Sequence, residues 1–120
     1  MNSERRKFVR LGMRLNVSYR IIQTKKVGSS LTRDLSAGGV RFVAEHLLDP
    51  GTQLECFIQL PDRTEAVRFL GTVVWSRAAY SGDRMLQGAS EVGVQFVEIE
   101  PKDQALIQQY ATLYPPPKEP

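Results

Sequence analysis

Alternation of apolar and polar side chains is the feature that most constrains the fold of this chain. Between positions 13 and 22, apolar residues occupy every second position, and polar or charged residues lie between them. Successive side chains of a β-strand point to opposite faces, so this period of two predicts a strand with one buried and one solvated face. A strand leaves backbone groups unpaired at both edges, so we expect other segments of the chain to pair with it.

Shorter alternating segments follow and are separated by turn residues. We predict further strands at 30–34, 40–45, 54–60, 65–77 and 92–96. Residues 25–29, Asp49-Pro50-Gly51 and Pro61-Asp62-Arg63 are typical of turns, and 79–90 is predicted to be a polar loop. Gly71, inside the predicted strand at 65–77, indicates a bulge or a sharp bend.

From Pro101 the apolar period changes to three and four residues, which predicts a helix that ends before Pro115. Six regularly spaced antiparallel strands in 120 residues favour a closed barrel, because closure removes exposed strand edges. We therefore predict an all-β fold, a six-stranded antiparallel β-barrel with one C-terminal α-helix. We expect a flexible N-terminal arm at 1–12, the barrel and helix at 13–114, and a Pro-rich disordered tail at 115–120.

Composition argues against several classes of protein. No apolar run approaches the ~20 residues needed to cross a bilayer, and the basic N-terminal residues precede no apolar segment of a secretory signal. Cys56 is the single cysteine, so no disulfide forms within the chain, and we expect a soluble cytoplasmic domain. One cysteine and one histidine, His46, make neither a zinc site nor a nucleophile–base pair, so we predict no catalysis, metal or cofactor. We expect His46 at the surface and Cys56 in the core.

Positive charge is concentrated near the N-terminus, although the net charge is only +3. Six cations and no acid fall between positions 5 and 20, namely Arg5, Arg6, Lys7, Arg10, Arg14 and Arg20. Arg6 and Arg10 form an Arg-x-x-x-Arg motif. The planar fork of arginine binds a phosphate, or the O6/N7 edge of guanine, through two hydrogen bonds. The alternative is a solvated basic tail.

A second motif, Asp34-Leu35-Ser36-Ala37-Gly38-Gly39, joins two predicted strands. Such polar residues satisfy backbone groups in turns and glycines permit positive φ, so a plain hairpin connection is one interpretation. In the other, Asp34 accepts guanine N–H groups or orients arginines, Ser36 donates to a phosphate or base, and Gly39 lets a ligand approach the backbone. The two motifs together offer the groups needed to bind a small ligand with phosphates and base edges.

In this order the motifs resemble the signature of the PilZ domain family, RxxxR followed by (D/N)xSxxG. Both are intact at the fixed positions, and the similarity includes the strand at 71–75 and the segment at 93–97 with its trailing helix. The resemblance implies a six-stranded barrel that binds the bacterial second messenger cyclic di-GMP and is not an enzyme. The residues expected to bind this ligand are Arg5, Arg6, Arg10, Asp34, Ser36, Gly38, Gly39, Arg41 and Trp75.

Three of these residues carry separate expectations. In the family, the residue before RxxxR is associated with the binding of one ligand or a stacked pair, and Arg5 favours the pair. Arg41 can add a phosphate contact, although an exposed strand arginine is the simpler interpretation. Trp75 falls on the apolar face of its strand, which predicts a core position, whereas the similar position in some PilZ domains lies near the ligand.

The resemblance also implies a receptor whose arm changes conformation on binding cyclic di-GMP and signals to a protein partner. Motility, exopolysaccharide synthesis and surface attachment are outputs of the family, and nothing in the sequence chooses between them. Two other functions remain open: a PilZ-form adaptor that binds proteins without a ligand, and a small basic barrel that binds single-stranded nucleic acid. The intact motifs argue against the first, and the low net charge argues against the second.

Overall fold

The computed structural model describes residues 10–115, and within this range it contains seven strands and one helix. The elements are β1 (Arg10–Leu11), β2 (Asn16–Ile21), β3 (Val27–Ser36), β4 (Gly39–Ala44), β5 (Gln53–Ile58), β6 (Val67–Ser81), β7 (Arg84–Ile99) and α1 (Pro101–Leu113). Arg5, Arg6 and most of the predicted arm and tail lie outside the described residues.

Six of the strands form a closed antiparallel barrel. The strands pair in the order β3-β2-β5-β6-β7-β4, and pairing of β4 with β3 closes the sheet. Closure leaves these six strands without a free edge. The prediction of a six-stranded antiparallel β-barrel with one C-terminal helix is therefore confirmed. The short β1 is an additional strand, which pairs with the end of β3 through Arg10 and Ser36. Residues 10–12 were predicted to belong to the flexible arm, and this is wrong, because strand pairing, burial of Leu11 and a hydrogen bond of Gly12 fix them to the barrel and helix.

The core consists of the inward-facing side chains of the barrel and one side of α1. In β2 the predicted alternation is observed, and Val17 and Tyr19 are buried. Helix residues Ile107 and Ala111 belong to the same buried cluster. The helix has 13 residues, and no helix between residues 10 and 115 is both long and apolar enough to cross a bilayer.

Hydrogen bonds fix α1 to β1 and to the turn between β3 and β4. Leu11 is buried, with 3% of its surface exposed. The next residue, Gly12, donates its backbone N–H to the carbonyl oxygen of Tyr114, 2.6 Å away at the end of the helix. Gln104 of α1 donates its side-chain amide to the carbonyl oxygen of Ala37 at 2.7 Å. The helix is thus attached to two segments that contain residues of the two sequence motifs.

Two segments differ from the sequence-based prediction. Residues 79–90, predicted to be a loop, form the ends of β6 and β7, which continue as a ribbon to a turn at Gly82 (φ 60°). This ribbon is polar because most of its residues are exposed. Residues 25–29, predicted to be a turn, contain the start of β3. Gly28 is needed there because any side chain would collide with the ring of Tyr19.

The bulge indicated by Gly71 is present. Leu70 pairs with Glu98 and Gly71 pairs with Phe96, so Val97 is an extra residue in β7. A side chain at position 71 would collide with Val94. A glycine therefore permits the close approach of β7 at this irregularity.

His46 is half-buried and not a surface residue, so this prediction is wrong. Its Nδ1 lies 2.6 Å from the hydroxyl of Tyr19, and the same hydroxyl accepts a hydrogen bond from the backbone N–H of Glu45 at 3.1 Å. Burial raises the pKa of Tyr19. Cys56 is fully buried, as predicted, and burial raises the pKa of its thiol to about 12.

Candidate functional site

A groove of about 480 Å³ lies on the outer face of the barrel, between the β3–β4 turn and strands β6 and β7. Seven of the nine residues expected to bind a ligand line this groove, namely Arg10, Asp34, Ser36, Gly38, Gly39, Arg41 and Trp75. The other two, Arg5 and Arg6, lie outside the described residues. The described parts of the two motifs therefore meet at one surface, although they are distant in sequence.

A bulge in β3 places Asp34 on the outer face of the barrel. The pairing with β4 shifts between Thr32 and Asp34, so that Arg33 is an extra residue. Thr32 and Leu35 are fully buried, whereas Asp34 is half-buried in the groove. Regular alternation would put Asp34 on the same inner face as Thr32. The extra residue reverses the phase of the strand and turns the carboxylate outward.

Arg10 and Asp34 form an ion pair in the groove. Pairing of β1 with β3 puts Arg10 opposite Ser36, and its Nη1 lies 3.2 Å from Oδ2 of Asp34. The two side chains are 37% and 25% exposed. Ion pairs with this much contact with water contribute at most about 1 kcal/mol to stability. This one orients both groups, and it is weak enough for a ligand to replace it.

The turn between β3 and β4 presents a hydroxyl group and closely packed backbone. Ser36 Oγ accepts a hydrogen bond from the N–H of Gly38 at 3.2 Å. The carbonyl oxygen of Gly38 accepts one from the N–H of Phe96 at 3.1 Å. A Cβ at Gly39 would collide with the carbonyl oxygen of Val94. Glycine is thus required at position 39 by the approach of β7, and neither glycine has a positive φ.

A second bulge places Trp75 on the outer face, and the prediction of a core position is wrong. Val73 pairs with Val94 and Trp75 pairs with Gly93, so Val74 is an extra residue in β6. Val73 is buried, whereas Trp75 is 37% exposed and lines the groove. The indole lies over Gly93, where any side chain would collide with it. The register shift therefore converts an apparent core tryptophan into part of the candidate site.

Strand pairing arranges the main groups of the groove in one row across four strands. Trp75 of β6 pairs with Gly93 of β7, which pairs with Arg41 of β4, which in turn pairs with Asp34 of β3. Neighbouring strands lie about 4.8 Å apart, so the row extends over roughly 14 Å. It has an aromatic ring at one end and a carboxylate at the other. Such a surface can bind a ligand that carries both planar bases and negative charge.

Arg41 lines the groove and is paired with Glu91 of β7. The Nη1 atom of Arg41 lies 2.5 Å from Oε2 of Glu91. The other oxygen of Glu91 accepts a hydrogen bond from Nε of Arg77 at 2.8 Å. The bond from Arg77, with a smaller contribution from Arg41, holds the pKa of Glu91 below its ordinary value. The same bond raises the pKa of Arg77.

The Arg77 guanidinium also lies over the ring of Trp75, with its carbon 5.2 Å from the ring centroid. Nothing local in the sequence indicated Glu91, Arg77 or Gly93 as neighbours of the site. They reach it through the pairing of β7 with β4 and β6. The register of these strands is the information that sequence patterns alone did not supply.

The PilZ domain family model matches residues 4–113, which include both motifs, the barrel and the helix. The chain belongs to the PilZ domain family. Among curated proteins, none matches this PilZ chain significantly.

Solved structures share the fold of this PilZ domain. MotI/DgrA, the inhibitor of motility of Bacillus subtilis, is 21% identical with a TM-score of 0.72 over 90% of this chain and 50% of its own. The PilZ domain of YcgR from Escherichia coli, solved with c-di-GMP, is 14% identical with a TM-score of 0.67 over 92% and 91%. MrkH, described as a c-di-GMP-dependent transcription regulatory factor, is 13% identical with a TM-score of 0.66 over 87% and 48%. The chain therefore spans about half the length of MotI and MrkH.

Proposed function

We propose that this PilZ domain binds cyclic di-GMP in the groove and acts as a sensor of that ligand. The observation that most supports this is the meeting of the described residues of both signature motifs in one groove, where Arg10 of the first contacts Asp34 of the second and Ser36 lies beside them. The YcgR domain, which is similar in fold over 92% of this chain, was solved with c-di-GMP.

The groups that line the groove suit the chemistry of this ligand, which has two phosphates and two guanine bases. In the proposal, Arg10 binds a phosphate or the O6/N7 edge of a guanine, and Asp34 accepts guanine N–H groups. Ser36 donates its hydroxyl to a phosphate. Arg41 adds a positive charge, and Trp75 offers a flat surface to a purine. Gly38 and Gly39 allow the ligand to approach the backbone.

The N-terminal arm completes the proposed site. Arg6 supplies the second arginine of its motif, and Arg5 offsets the phosphates of a second, stacked ligand molecule. In the proposal, the residues before Arg10 close over the ligand, so their position depends on binding. Arg10, whose ion pair with Asp34 is partly exposed, exchanges part of this contact for contacts to the ligand.

The output of the domain is proposed to be this change in arm position. An arm that moves against the barrel exposes or covers a surface that a protein partner recognises. We propose a cytoplasmic sensor rather than a catalyst, whose partner belongs to the motility, exopolysaccharide or attachment machinery.

Calorimetric titration of cyclic di-GMP into the purified domain tests the proposal. We expect a low-micromolar Kd, equivalent to about −8 kcal/mol, and no binding of GTP. The double variant Arg6→Ala/Arg10→Ala is expected to lose binding. A stoichiometry near two would support the role given to Arg5, and a stoichiometry near one would contradict it.

The alternatives predict different results in the same titration. If neither calorimetry nor Trp75 fluorescence detects cyclic di-GMP binding, the receptor function is wrong and a protein-binding adaptor becomes the better interpretation. Binding of single-stranded oligonucleotides with a steep dependence on salt would instead support the nucleic-acid function, because a long phosphate track releases many counterions.

A further inference from the structure

Glu91 connects three strands beside the groove. It lies on β7, and its two oxygens bind Arg41 of β4 and Arg77 of β6. The Glu91 side chain is 12% exposed, so the carboxylate is held with little contact to water. The two arginines are consequently fixed relative to each other across the sheet.

Arg77 in turn contacts Trp75. The distance of 5.2 Å from guanidinium carbon to ring centroid is within the range of a cation–π interaction. The Arg77 side chain is 64% exposed, and such a long side chain would otherwise populate many rotamers. Its hydrogen bond to Glu91 restricts that freedom. The indole of Trp75 is therefore held by the Gly93 backbone and by Arg77.

We propose that Glu91 is a positioning residue for ligand binding, because it holds Arg77 over Trp75 and so fixes the guanidinium and the indole together as the surface against which a purine base packs. The proposal rests on the proposed binding of cyclic di-GMP in the groove. A guanidinium and a ring that are already held in place lose little freedom when a base packs against them, and this increases affinity. Glu91 does not contact the ligand in this scheme, and its negative charge is offset by both arginines.

The positioning role can be measured without a ligand. Trp75 is the single tryptophan of the chain, so intrinsic tryptophan fluorescence reports on this position alone. In the ligand-free protein, Glu91→Gln and Arg77→Lys are expected to increase acrylamide quenching and to shift the emission to longer wavelength, because the guanidinium no longer covers the ring. Unchanged quenching and emission in both variants would overturn the proposal.

Glu55→Gln is the matched control. Glu55 also binds two arginines, Arg20 and Arg68, on strands β2 and β6. Its loss removes the same kind of ion pairs from the barrel but leaves Trp75 untouched. We expect the fluorescence of this variant to equal that of the wild type. A change of the same size in Glu55→Gln and Glu91→Gln would indicate general loosening of the barrel and would overturn the proposal.

Titration with cyclic di-GMP completes the test. Glu91→Gln is expected to weaken binding by about threefold to tenfold, which corresponds to the free energy of one cation–π contact. Glu55→Gln is expected to bind as the wild type does. Unchanged or tighter binding by Glu91→Gln would overturn the proposal, since removal of a negative charge alone favours an anionic ligand. If the wild type binds no cyclic di-GMP, the proposed function and the purine contact are both wrong. The quenching data then decide by themselves whether Glu91 positions Trp75.

Discussion

Two glutamates on this barrel bind arginines in the same way, and they differ in what lies beside them. Glu55 on β5 binds Arg20 of β2 and Arg68 of β6. Glu91 on β7 similarly binds one arginine of β4 and one of β6. The glutamates are 15% and 12% exposed, and each pairs directly across the ladder with one of its arginines.

The difference is the aromatic ring next to Glu91. Within residues 10–115, the arginine that lies over an aromatic ring is Arg77, and that ring belongs to Trp75 in the groove. The arginines of Glu55 cover no such ring in this range. Similar ion-pair chemistry therefore occurs in two parts of the barrel, and at Glu91 it also holds an arginine over a ring of the candidate site. The two sets of ion pairs thus differ in the ring that Arg77 packs on, for which Arg20 and Arg68 have no counterpart among residues 10–115.

The largest expected difference between the two regions concerns their arginines. Arg10→Ala should weaken cyclic di-GMP binding by about tenfold to a hundredfold, because charge-assisted hydrogen bonds contribute roughly 1.5–3 kcal/mol each. Arg20→Ala removes an arginine of similar exposure from the Glu55 region and should leave the affinity unchanged. Calorimetric titration of both variants makes the comparison, and equal losses would indicate non-specific attraction between a cationic protein and an anionic ligand.

A second comparison uses two glycines that lie under aromatic rings. Gly93 lies under Trp75 in the groove, and Gly28 lies under Tyr19 in the region around Glu55. A methyl group at either position forces the ring to move, so Gly93→Ala and Gly28→Ala should each lower the free energy of unfolding by about 1–3 kcal/mol. Only Gly93→Ala should weaken ligand binding as well. Urea unfolding and ligand titration of the same samples measure both effects, and a binding defect in Gly28→Ala would show that the groove is not a separate region.

The smallest expected effect is one that the two glutamates share. Arginine hydrogen bonds hold the pKa of Glu55 and of Glu91 below the ordinary value of about 4.3. A carboxylate with a lowered folded-state pKa stabilises the protein fully at any pH above its unfolded-state pKa. This stabilisation is lost as the pH falls through the folded-state pKa. Glu55→Gln and Glu91→Gln should therefore each reduce the loss of stability between about pH 6 and about pH 3. Urea midpoints at the two pH values test this, and an acid response as large as that of the wild type in either variant would contradict it.

Much of the fold was predictable because it follows from local periodicity. Alternation predicted the strand that became β2, and Pro101 with the change of period predicted the helix observed at Pro101–Leu113. The ribbon at 79–90 was missed because exposed strands carry no apolar alternation. The start of β3 was missed because Gly28 reads as a turn residue, whereas it accommodates the ring of Tyr19.

The site was predictable only in part. The turn residues and Arg10 were found through their motifs, and they line one groove. Two single-residue bulges decide that Asp34 and Trp75 face outward, and a regular period of two cannot reveal an extra residue. Glu91 is 50 residues from Arg41, so its part in the site depends on strand register. The roles of Arg5 and Arg6 remain predictions, because these residues lie outside the described range.

The two residues of β1 and Gly12, which follows them, make three different kinds of contact. Arg10 reaches into the groove, Leu11 is anchored in the core, and Gly12 is bonded to Tyr114 at the end of the helix. The buried Leu11 therefore lies between a residue that contacts the groove and a residue that is bonded to the end of the helix. A rotation of the backbone that moves Arg10 within the groove must either be absorbed by the two peptide units between Arg10 and Gly12 or strain the hydrogen bond from Gly12 to Tyr114. Three consecutive residues of the backbone thus connect the groove to the C-terminal end of α1.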